Sequence, residues 1–584
     1  IFKKDRFDHY SNFARIGQGS LGGKGRGLAF IDSIIKRYPD CDDFKGISIS
    51  IPRTVVLCTD IFDEFMTSNN LYPLALSDAS DETILHYFLQ ARLPERLAED
   101  FFALFEVVDA PLAIRSSSLL EDSHYQPFAG VYSTYMIPHS DDKYMMLGML
   151  SDAIKSVYAS VFYADSKAYM TATSNVIDQE KMAVLIQEVV GADHDGYYYP
   201  SFSGVGRSLN YYPINDEQPE DGVAQVAVGL GKYIVEGGAS LRFSPRHPAK
   251  VLQTSTLDLA LRDTQTRMYA LGSDQIQAKS FSVDDGFNLV KMRVQDAAAT
   301  GALRYMVSTY DPVDQMIRDN DCGAGRRVVT FANMLQHGAF PLAEAVDFML
   351  TTGQKEMARP VEIEFAGMVD GKNCGKIYWL QIRPIIDKKD MVDDALMAVS
   401  DSALILRSNT ALGNGNVDGV KSIVYVRPEN FSSANNSLIA REIEKINRNF
   451  TARGEQYVLV GPGRWGSSDT ALGIPVKWPH ISGARLIVES SLQNYRIEPS
   501  QGTHFFQNLT SIGVGYFTID QSAADSGFYD IDYLNALPAV YESRFVRIVE
   551  FRTPLSIGIN GRKGVGVVAK PEGDVVTDPL DVQI

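Results

Sequence analysis

The segment RPVEIEFAG, residues 359–367, constrains the fold of this chain more than any other. In an extended strand successive side chains point to opposite faces, so its two glutamates share one face and its three apolar residues share the other. The glutamates are Glu362 and Glu364, and the apolar residues are Val361, Ile363 and Phe365. The apolar face fits a core, whereas the acidic face is unfavourable unless a cation or a basic side chain lies close to it. The segment therefore predicts a half-buried strand whose polar face binds a positive group.

A second strand pattern follows after the turn-rich stretch MVDGKNCGK. This pattern, IYWLQIRPI, predicts the return strand of a hairpin with a loop of moderate length. Strict alternation predicts one face with Ile377, Trp379, Gln381 and Arg383, and another with Tyr378, Leu380 and Ile382. Pairing of Glu364 with Gln381 would place Arg383 opposite the other glutamate, in an adjacent rung.

In that register two carboxylates, one amide oxygen and one guanidinium group meet on a small patch. Hard oxygen ligands of this kind suit Mg²⁺, which keeps several waters and takes further ligands from phosphates. Arg383 would then hold phosphate oxygens or pair with Glu362. The simpler alternative is a solvent-facing strand pair with a cross-strand ion pair, which needs no ligand.

Two further segments combine a basic residue with groups that favour anions. SLGGKGRGLAF places glycines around Lys24 ahead of an amphipathic helix, and such a turn presents backbone N–H groups to an anion. No Ser or Thr follows the lysine, so the segment is not a Walker A loop. PLAIRSSSLLED sets Arg115 before serines at a strand end, which suits phosphate capture. The alternatives are an ordinary turn and an arginine that pairs with Glu121 or Asp122.

Composition narrows the class of function. The formal net charge of −17, from 55 basic and 72 acidic residues, argues against a nucleic-acid-binding surface. No apolar run approaches the roughly 20 residues that span a bilayer, so we expect neither a nucleic acid nor a membrane as partner. The four cysteines lack metal-ligand spacing, which favours a cytoplasmic location. Because the chain begins without Met, we expect it to be a piece of a longer protein.

Strand and helix signals divide the chain into three regions. Residues 1–180 mix helical patterns with short strands, residues 181–388 carry dense strand signals, and residues 396–584 are rich in Gly, Val and Ile. The charged segment DKKDMVDDA joins the last two regions. This organisation predicts an α/β (α+β) protein that ends in a β-rich α/β domain.

Four segments together resemble the nucleotide-binding half of phosphoenolpyruvate synthase and pyruvate phosphate dikinase. They are LGGKG, AIRSSSLLED with FAG, MAVLIQEVV with GLGK, and VEIEF with YWLQIRP, in this order. The resemblance covers residues about 12–388. It implies an ATP-grasp fold, in which two subdomains, here residues 1–180 and 181–388, clamp ATP and Mg²⁺ between them.

The resemblance also implies which residues bind the nucleotide. Lys24 and Arg115 would contact the ATP phosphates, and Arg115 would take part in catalysis. Gln187 would lie along the adenine, and the backbone from Glu188 to Val190 would supply hydrogen bonds to it.

For the metal, the resemblance implies that Glu364 and Gln381 hold Mg²⁺ with support from Glu362. Arg383 would bind phosphate. These assignments agree with the faces derived above for the hairpin.

The chain departs from the family in two places. The family usually has a glutamate after its GLG, where this chain has Lys232, and the reversed charge would add an anion contact or mark lost chemistry. Three consecutive tyrosines, Tyr197 to Tyr199, stand in the stretch that covers the phosphates in the family. They would stack on a base or pack against the protein.

The third region resembles a degenerate form of the family's swivelling phosphohistidine domain. His504 follows Thr503 after an apolar strand, but of the family's Gly-Gly pair only Gly502 remains. A phosphate carrier needs an exposed neutral imidazole that can attack phosphorus. The alternative is a histidine packed beside Phe505 and Phe506.

These features predict an ATP- and Mg²⁺-dependent phosphotransferase that cleaves ATP, with transfer through His504 to an acceptor. The barrel that binds phosphoenolpyruvate or pyruvate in the family would need some 250 residues, so the sequence leaves the acceptor open between pyruvate and another small molecule. A non-catalytic ATP-binding regulatory module is the alternative function. A remnant that binds no nucleotide is the third.

Overall fold

The structure is a computed structural model that describes most of the chain. The described residues are 2–3, 7, 12–119, 132–172, 180–210, 216–272, 281–320, 325–385, 394–492, 495, 514–520, 527–561, 563–573 and 575–580. Of the described residues, 32% are in helices and 32% are in strands, which confirms the predicted mixed α/β class. Among the described residues no helix is both long and apolar enough to cross a bilayer.

Contacts divide the chain into two compact units. The first unit comprises Ile1–Ile234 and Ala239–Ile385, and the second comprises Val235–Gly238 and Ile386–Ile584. The finer division of the first unit at residue 180 stays a prediction.

The first unit contains both helices and strands. The helices are α1 (Gly22–Arg37), α2 (Thr59–Ser68), α3 (Tyr72–Ala75), α4 (Asp81–Gln90), α5 (Leu97–Phe105), α6 (Lys143–Ser160), α7 (Ala164–Ala172), α8 (Lys232–Val235), α9 (Leu257–Asp263), α10 (Val294–Ala298), α11 (Ala332–Leu335) and α12 (Leu342–Met357). The strands are β1 (Phe13–Ile16), β2 (Ile47–Ser50), β3 (Thr54–Leu57), β4 (Leu112–Ser118), β5 (Thr134–Ile137), β6 (Met182–Glu188), β7 (Ala192–His194), β8 (Tyr197–Tyr199), β9 (Phe202–Arg207), β10 (Val223–Ala227), β11 (Leu241–Phe243), β12 (Arg267–Gly272), β13 (Leu289–Arg293), β14 (Val307–Asp311), β15 (Met316–Arg318), β16 (Arg326–Val329), β17 (Val361–Gly371) and β18 (Cys374–Pro384).

Two sheets of this unit carry Arg115, Gln187 and Glu188 on one side and Glu362, Glu364, Gln381 and Arg383 on the other. The strand order is β1-β3-β6-β4-β5 in a five-stranded sheet and β11-β10-β9-β17-β18-β2 in a six-stranded sheet. Smaller sheets have the orders β13-β12-β8-β7 and β15-β14-β16. Strands from both sides of residue 180 enter each large sheet, because β6 lies in the first and β2 lies in the second.

The strands β17 and β18 form the predicted hairpin. Glu364 lies opposite Gln381 and Glu362 lies opposite Arg383, so the predicted register is confirmed. The loop between the strands is a tight two-residue turn, because both strands extend into the stretch that was expected to form a longer loop.

A β-bulge interrupts β18. Gln381 pairs with Glu364, but the next pair is Trp379 with Phe365, so Leu380 is an extra residue. Trp379 is fully buried in the core that Phe365 also enters, although it lies only two residues from Gln381. The strict alternation predicted for β18 is therefore wrong at this point, because the bulge reverses the faces.

Glycines and phenylalanines alternate across β9 and β17. Gly204 lies opposite Phe365, and Gly367 lies opposite Phe202. A Cβ atom on Gly204 would lie 2.2 Å from the Phe365 ring, and a Cβ atom on Gly367 would lie 2.1 Å from the Phe202 ring. Each ring therefore occupies the space that a side chain on the opposite strand would need.

We expect Gly204→Ala to lower the free energy of unfolding by about 1–3 kcal/mol, because the added methyl group overpacks the sheet. Gly148→Ala is the matched control, since a Cβ atom at that position of α6 meets nothing within 4 Å and alanine favours the helix by about 1 kcal/mol. Denaturant unfolding of both variants measures the difference. A Gly204→Ala variant as stable as Gly148→Ala would contradict the close approach.

The second unit also contains both helices and strands. The helices are α13 (Asp394–Met397), α14 (Asn436–Ala452) and α15 (Ile531–Ala536). The strands are β19 (Leu404–Ser408), β20 (Ala411–Leu412), β21 (Asn414–Val417), β22 (Ser422–Val426), β23 (Tyr457–Pro462), β24 (Arg464–Trp465), β25 (Gly473–Ile474), β26 (Ala484–Ser490), β27 (Gly515–Ile519), β28 (Gly527–Tyr529), β29 (Tyr541–Glu542), β30 (Val546–Glu550), β31 (Ser556–Asn560) and β32 (Val565–Ala569).

The main sheet of the second unit has the order β20-β27-β26-β23-β22-β30-β29. Its strands β22, β23, β26 and β27 are parallel to their neighbours in this series, and α14 connects the first two. A five-stranded sheet of order β21-β31-β32-β19-β28 shares one apolar core with it. Apolar side chains on one stripe of α14, including Ile439, Ile443 and Phe450, are buried, as the helical period requires.

Candidate functional site

Arg115 is the centre of a group of polar side chains in the first unit. Its Nη1 atom donates hydrogen bonds to Gln187 Oε1 at 3.2 Å and to the Leu380 carbonyl at 3.5 Å. Its Nη2 atom donates to Glu364 Oε2 at 3.2 Å and to Gln381 Oε1 at 3.1 Å. The arginine thus connects β4 with the hairpin, and one of its acceptors is the carbonyl of the extra residue in the bulge.

Lys24 lies next to this arginine along β4. The helix α1 begins at Gly22, so Lys24 lies in its first turn rather than in a turn before it. The buried Nζ atom donates to the carbonyl and to Oγ of Ser116, each at 3.1 Å. A Cβ atom on Gly22 would lie 1.8 Å from the carbonyl oxygen of Ser117, which shows how closely the glycine turn approaches β4. The predicted glycines therefore allow the helix N-terminus to lie against the strand that carries Arg115.

Glu362 lies between two arginines on neighbouring strands. Its Oε2 atom accepts from Nε of Arg207 at 2.6 Å, and its Oε1 atom accepts from Nε of Arg383 at 2.7 Å. All three side chains are at most 5% exposed. Burial alone would raise the pKa of Glu362, but the guanidinium groups of Arg383 and Arg207 outweigh it and hold the pKa below its ordinary value. The carboxylate is therefore ionised and held by both arginines.

Arg207 is a residue that the sequence analysis missed. It lies opposite Glu362 on β9, so the three charged side chains form one rung across three strands. The available signal was the segment SGVGRS, in which an arginine precedes a serine after apolar residues, as in AIRSS. Only the pairing of β9 with β17 shows which acid it meets, because that contact joins residues 155 positions apart.

We call eight of these side chains the central cluster. They are Lys24, Arg115, Gln187, Arg207, Glu362, Glu364, Gln381 and Arg383. Four of these eight side chains are cationic, two are carboxylates, and all eight are largely removed from water. Cationic side chains gathered in a place of low dielectric constant favour the binding of an anion.

Both polar atoms of the Gln187 side-chain amide form hydrogen bonds with other residues of the protein. The Nε2 atom donates to Thr54 Oγ1 at 2.9 Å, and the Oε1 atom accepts from Arg115. The side chain is 3% exposed. It therefore orients Arg115 directly, and its expected position along an adenine stays a prediction.

Some of the backbone N–H groups after Gln187 also form hydrogen bonds within the protein. The N–H group of Glu188 donates to the carbonyl of Arg53 at 3.0 Å, and that of Val189 donates to Pro111 at 2.8 Å. Val190 keeps an N–H group without a partner among the described residues. Burial raises the pKa of the Glu188 carboxyl against the opposing charge of Arg53. The N–H groups of Glu188 and Val189 are thus used within the protein, and the expected backbone hydrogen bonds from Glu188 to Val190 to an adenine stay a prediction.

A small apolar cluster lies beside this end of β6. Its buried members are Ala113, Val189, Leu230 and Leu271, and Met136, Tyr198, Tyr269 and Leu289 pack against them. The Tyr198 hydroxyl donates to the Val189 carbonyl at 3.2 Å, and burial raises its pKa to about 12. Such a surface suits the flat face of a base. Tyr199 is buried at 1% exposure and packs on His194, whereas Tyr197 is exposed, so the three tyrosines have separate environments.

Some of the predicted residues fall outside the described part of the chain. His504 does, and so do Glu121 and Asp122, the alternative partners of Arg115. Within the described residues, no group of three or more His, Cys, Asp or Glu side chains could hold a metal by itself.

Comparison with known proteins gives three findings. The family described as pyruvate phosphate dikinase, AMP/ATP-binding domain, matches residues 18–402, well over half of the chain. The uncharacterized phosphotransferase YvkC of Bacillus subtilis is 24% identical over 192 residues, which are 33% of this chain and 21% of that protein. A probable phosphoenolpyruvate synthase of Methanothermobacter thermautotrophicus is 24% identical over 246 residues, which are 38% of this chain and 31% of that protein. The chain thus spans a third or less of the length of these two relatives.

Proposed function

The chain belongs to the pyruvate phosphate dikinase AMP/ATP-binding domain family, and from this premise we propose that the central cluster binds Mg²⁺-ATP for a phosphotransferase reaction. The mixed α/β architecture is consistent with an ATP-grasp-like domain. Both relatives carry names of phosphoryl-transferring enzymes, which supports the same reaction type.

The convergence of two oxygen atoms supports the proposal most directly. Glu364 Oε2 and Gln381 Oε1 lie 3.2 and 3.1 Å from the same nitrogen atom of Arg115, so they face a point that already holds positive charge. A carboxylate and an amide oxygen are ligands that Mg²⁺ accepts. Glu364 and Gln381 would hold the metal, and the bound Mg²⁺ would supply neutralising charge to the phosphates.

The remaining members of the central cluster have separate roles in this proposal. Arg115 exchanges its contacts with Glu364 and Gln381 for phosphate oxygens, and Lys24 binds the phosphates from the first turn of α1. Glu362 is not a metal ligand, because two arginines occupy its oxygen atoms. It keeps Arg383 and Arg207 in place beside the phosphates.

The metal assignment predicts a specific defect for Glu364→Gln. This variant removes the charged ligand and keeps the size of the side chain, so we expect about a tenfold higher Mg²⁺ requirement for ATP binding. Isothermal titration with ATP at several Mg²⁺ concentrations measures it. Glu344→Gln, in an exposed ion pair with Lys45, is the control. An unchanged Mg²⁺ requirement would contradict the assignment.

Turnover separates the proposed enzyme from a regulatory ATP-binding module. Release of AMP, ADP or phosphate supports the enzyme, and ATP binding without any release over hours supports the regulatory module. Transfer through His504 is part of the enzymatic proposal. Acid-labile label from ATP that persists in His504→Ala would exclude that histidine as the carrier.

A further inference from the structure

The glycine turn Gly229–Gly231 is held by strands of two different sheets. The Gly229 carbonyl accepts from Ser203 Oγ on β9 at 2.7 Å, and Leu230 N–H donates to the Tyr269 carbonyl on β12 at 3.0 Å. Gly229 has φ +84°, and a Cβ atom there would lie 2.8 Å from the Tyr269 carbonyl. The turn is therefore held against both the six-stranded and the four-stranded sheet.

Lys232, the first residue of α8, connects this turn to a third sheet. Its Nζ atom lies 2.5 Å from Asp285 Oδ1. The other carboxylate oxygen of Asp285 accepts from the backbone N–H of Thr134, on β5, at 2.9 Å. Thr134 is the register partner of Arg115 in the five-stranded sheet. A short series of contacts thus leads from the glycine turn to the strand pair that carries the central arginine.

Packing fixes the position of Asp285 on β5. The Tyr135 hydroxyl donates to the Ser282 carbonyl at 2.9 Å, and Asn288 Nδ2 donates to the Met136 carbonyl. The rings of Phe281 and Phe287 lie 5.6 and 6.3 Å from that of Tyr135. The segment around Asp285 is therefore bound to the five-stranded sheet independently of Lys232.

We infer that Lys232 is a positioning residue for the nucleotide: its ion pair with Asp285 fixes the glycine turn relative to Arg115. The inference rests on the proposed function. The lysine that replaces the family's glutamate after GLG would then hold the turn in place. In the sequence alone, the alternatives are a contact to an anion and a loss of catalytic activity. Both side chains are about a quarter exposed, and pairs of that kind contribute little to stability. The consequence of breaking the pair should therefore appear in nucleotide binding more than in unfolding.

Lys232→Glu and Asp285→Asn each remove the ion pair. The double variant tests whether a hydrogen bond between the same two positions can replace it. Lys232→Glu places two carboxylates in contact, and we expect Mg²⁺-ATP affinity to fall about tenfold because the turn moves away from Arg115. Asp285→Asn keeps an oxygen that accepts from Thr134 and adds an N–H donor. The double variant Lys232→Glu with Asp285→Asn can thus form a neutral-to-charged hydrogen bond in the same place, and we expect it to recover most of the affinity.

The control is Lys250→Glu, which reverses the charge in the exposed pair of Lys250 with Asp216 in the same unit. Affinity by isothermal titration and the thermal unfolding midpoint are measured for all four variants. Lower affinity in Lys232→Glu than in Lys250→Glu, with recovery in the double variant and similar midpoints, supports the inference. Unchanged affinity in Lys232→Glu, or a fall without recovery, overturns it. Wild type without Mg²⁺-ATP binding overturns the proposed function and the inference together, whereas normal binding by wild type and by Lys232→Glu overturns the inference alone.

Discussion

Replacing Arg115 by alanine is expected to weaken Mg²⁺-ATP binding by at least about 30-fold. The substitution removes a guanidinium group that contacts four other groups and leaves Glu364 and Gln381 without it. Truncating one partner of a buried, hydrogen-bonded charge pair costs about 2–5 kcal/mol, and 1.4 kcal/mol corresponds to a factor of ten. Isothermal titration of the variant with Mg²⁺-ATP measures the loss.

Two further variants make this result specific. Arg115→Lys keeps the charge but not the planar pair of donors, so we expect an intermediate affinity. Arg293→Ala, which breaks an exposed ion pair with Asp296, is expected to bind as wild type does. If Arg115→Ala binds within threefold of Arg293→Ala, the central cluster is not the nucleotide site.

Replacing Glu362 by glutamine is expected to destabilise the protein more than Gly204→Ala does. Glu362→Gln leaves Arg207 and Arg383 buried with no carboxylate between them, and loss of a partner from a buried ion pair costs about 3–5 kcal/mol. Denaturant unfolding measures the change. Glu344→Gln again serves as control, since its ion pair with Lys45 is exposed. A Glu362→Gln variant within about 1 kcal/mol of this control would contradict the buried charge arrangement.

The same group predicts how stability depends on pH. The arginines hold the pKa of Glu362 below 4.5, its value in the absence of the fold. The unfolded state therefore binds the proton more readily than the native state as the pH falls through that region. The stabilisation is complete above about pH 4.5 and is lost as the pH falls through the lower, native pKa. We expect a shallower loss of stability below pH 4.5 in Glu362→Gln than in wild type.

Local patterns predicted the hairpin and the first helix well, for physical reasons. The register of β17 with β18 followed from side chains that alternate and from a charge pair whose members, Glu362 and Arg383, are only 21 positions apart. The helix after Lys24 has Leu28, Ile31 and Ile34 buried on one side, as its spacing predicts. Both structures depend on contacts that lie close together in the sequence.

Contacts between distant segments could not be predicted in the same way. Arg207 meets Glu362 only because β9 pairs with β17. Lys232 meets Asp285 across 53 positions of sequence, and only the segment of Asp285 packs on β5. The bulge at Leu380 has no clear sequence signal, since no glycine or proline marks it. Each of these depends on tertiary pairing, which local periodicity does not contain.

The extra residue Leu380 in β18 determines which side chains of this strand point to the core and which to the central cluster. Trp379 and Gln381 differ by an even number of positions, yet the first belongs to the interior and the second to the central cluster. In a regular strand, residues two positions apart point to the same face. Trp379 and Gln381 can point to different faces only because the extra residue Leu380 shifts the alternation by one position. Loss of one residue there would turn either the indole outward or the amide inward, so the length of this strand matters as much as its composition.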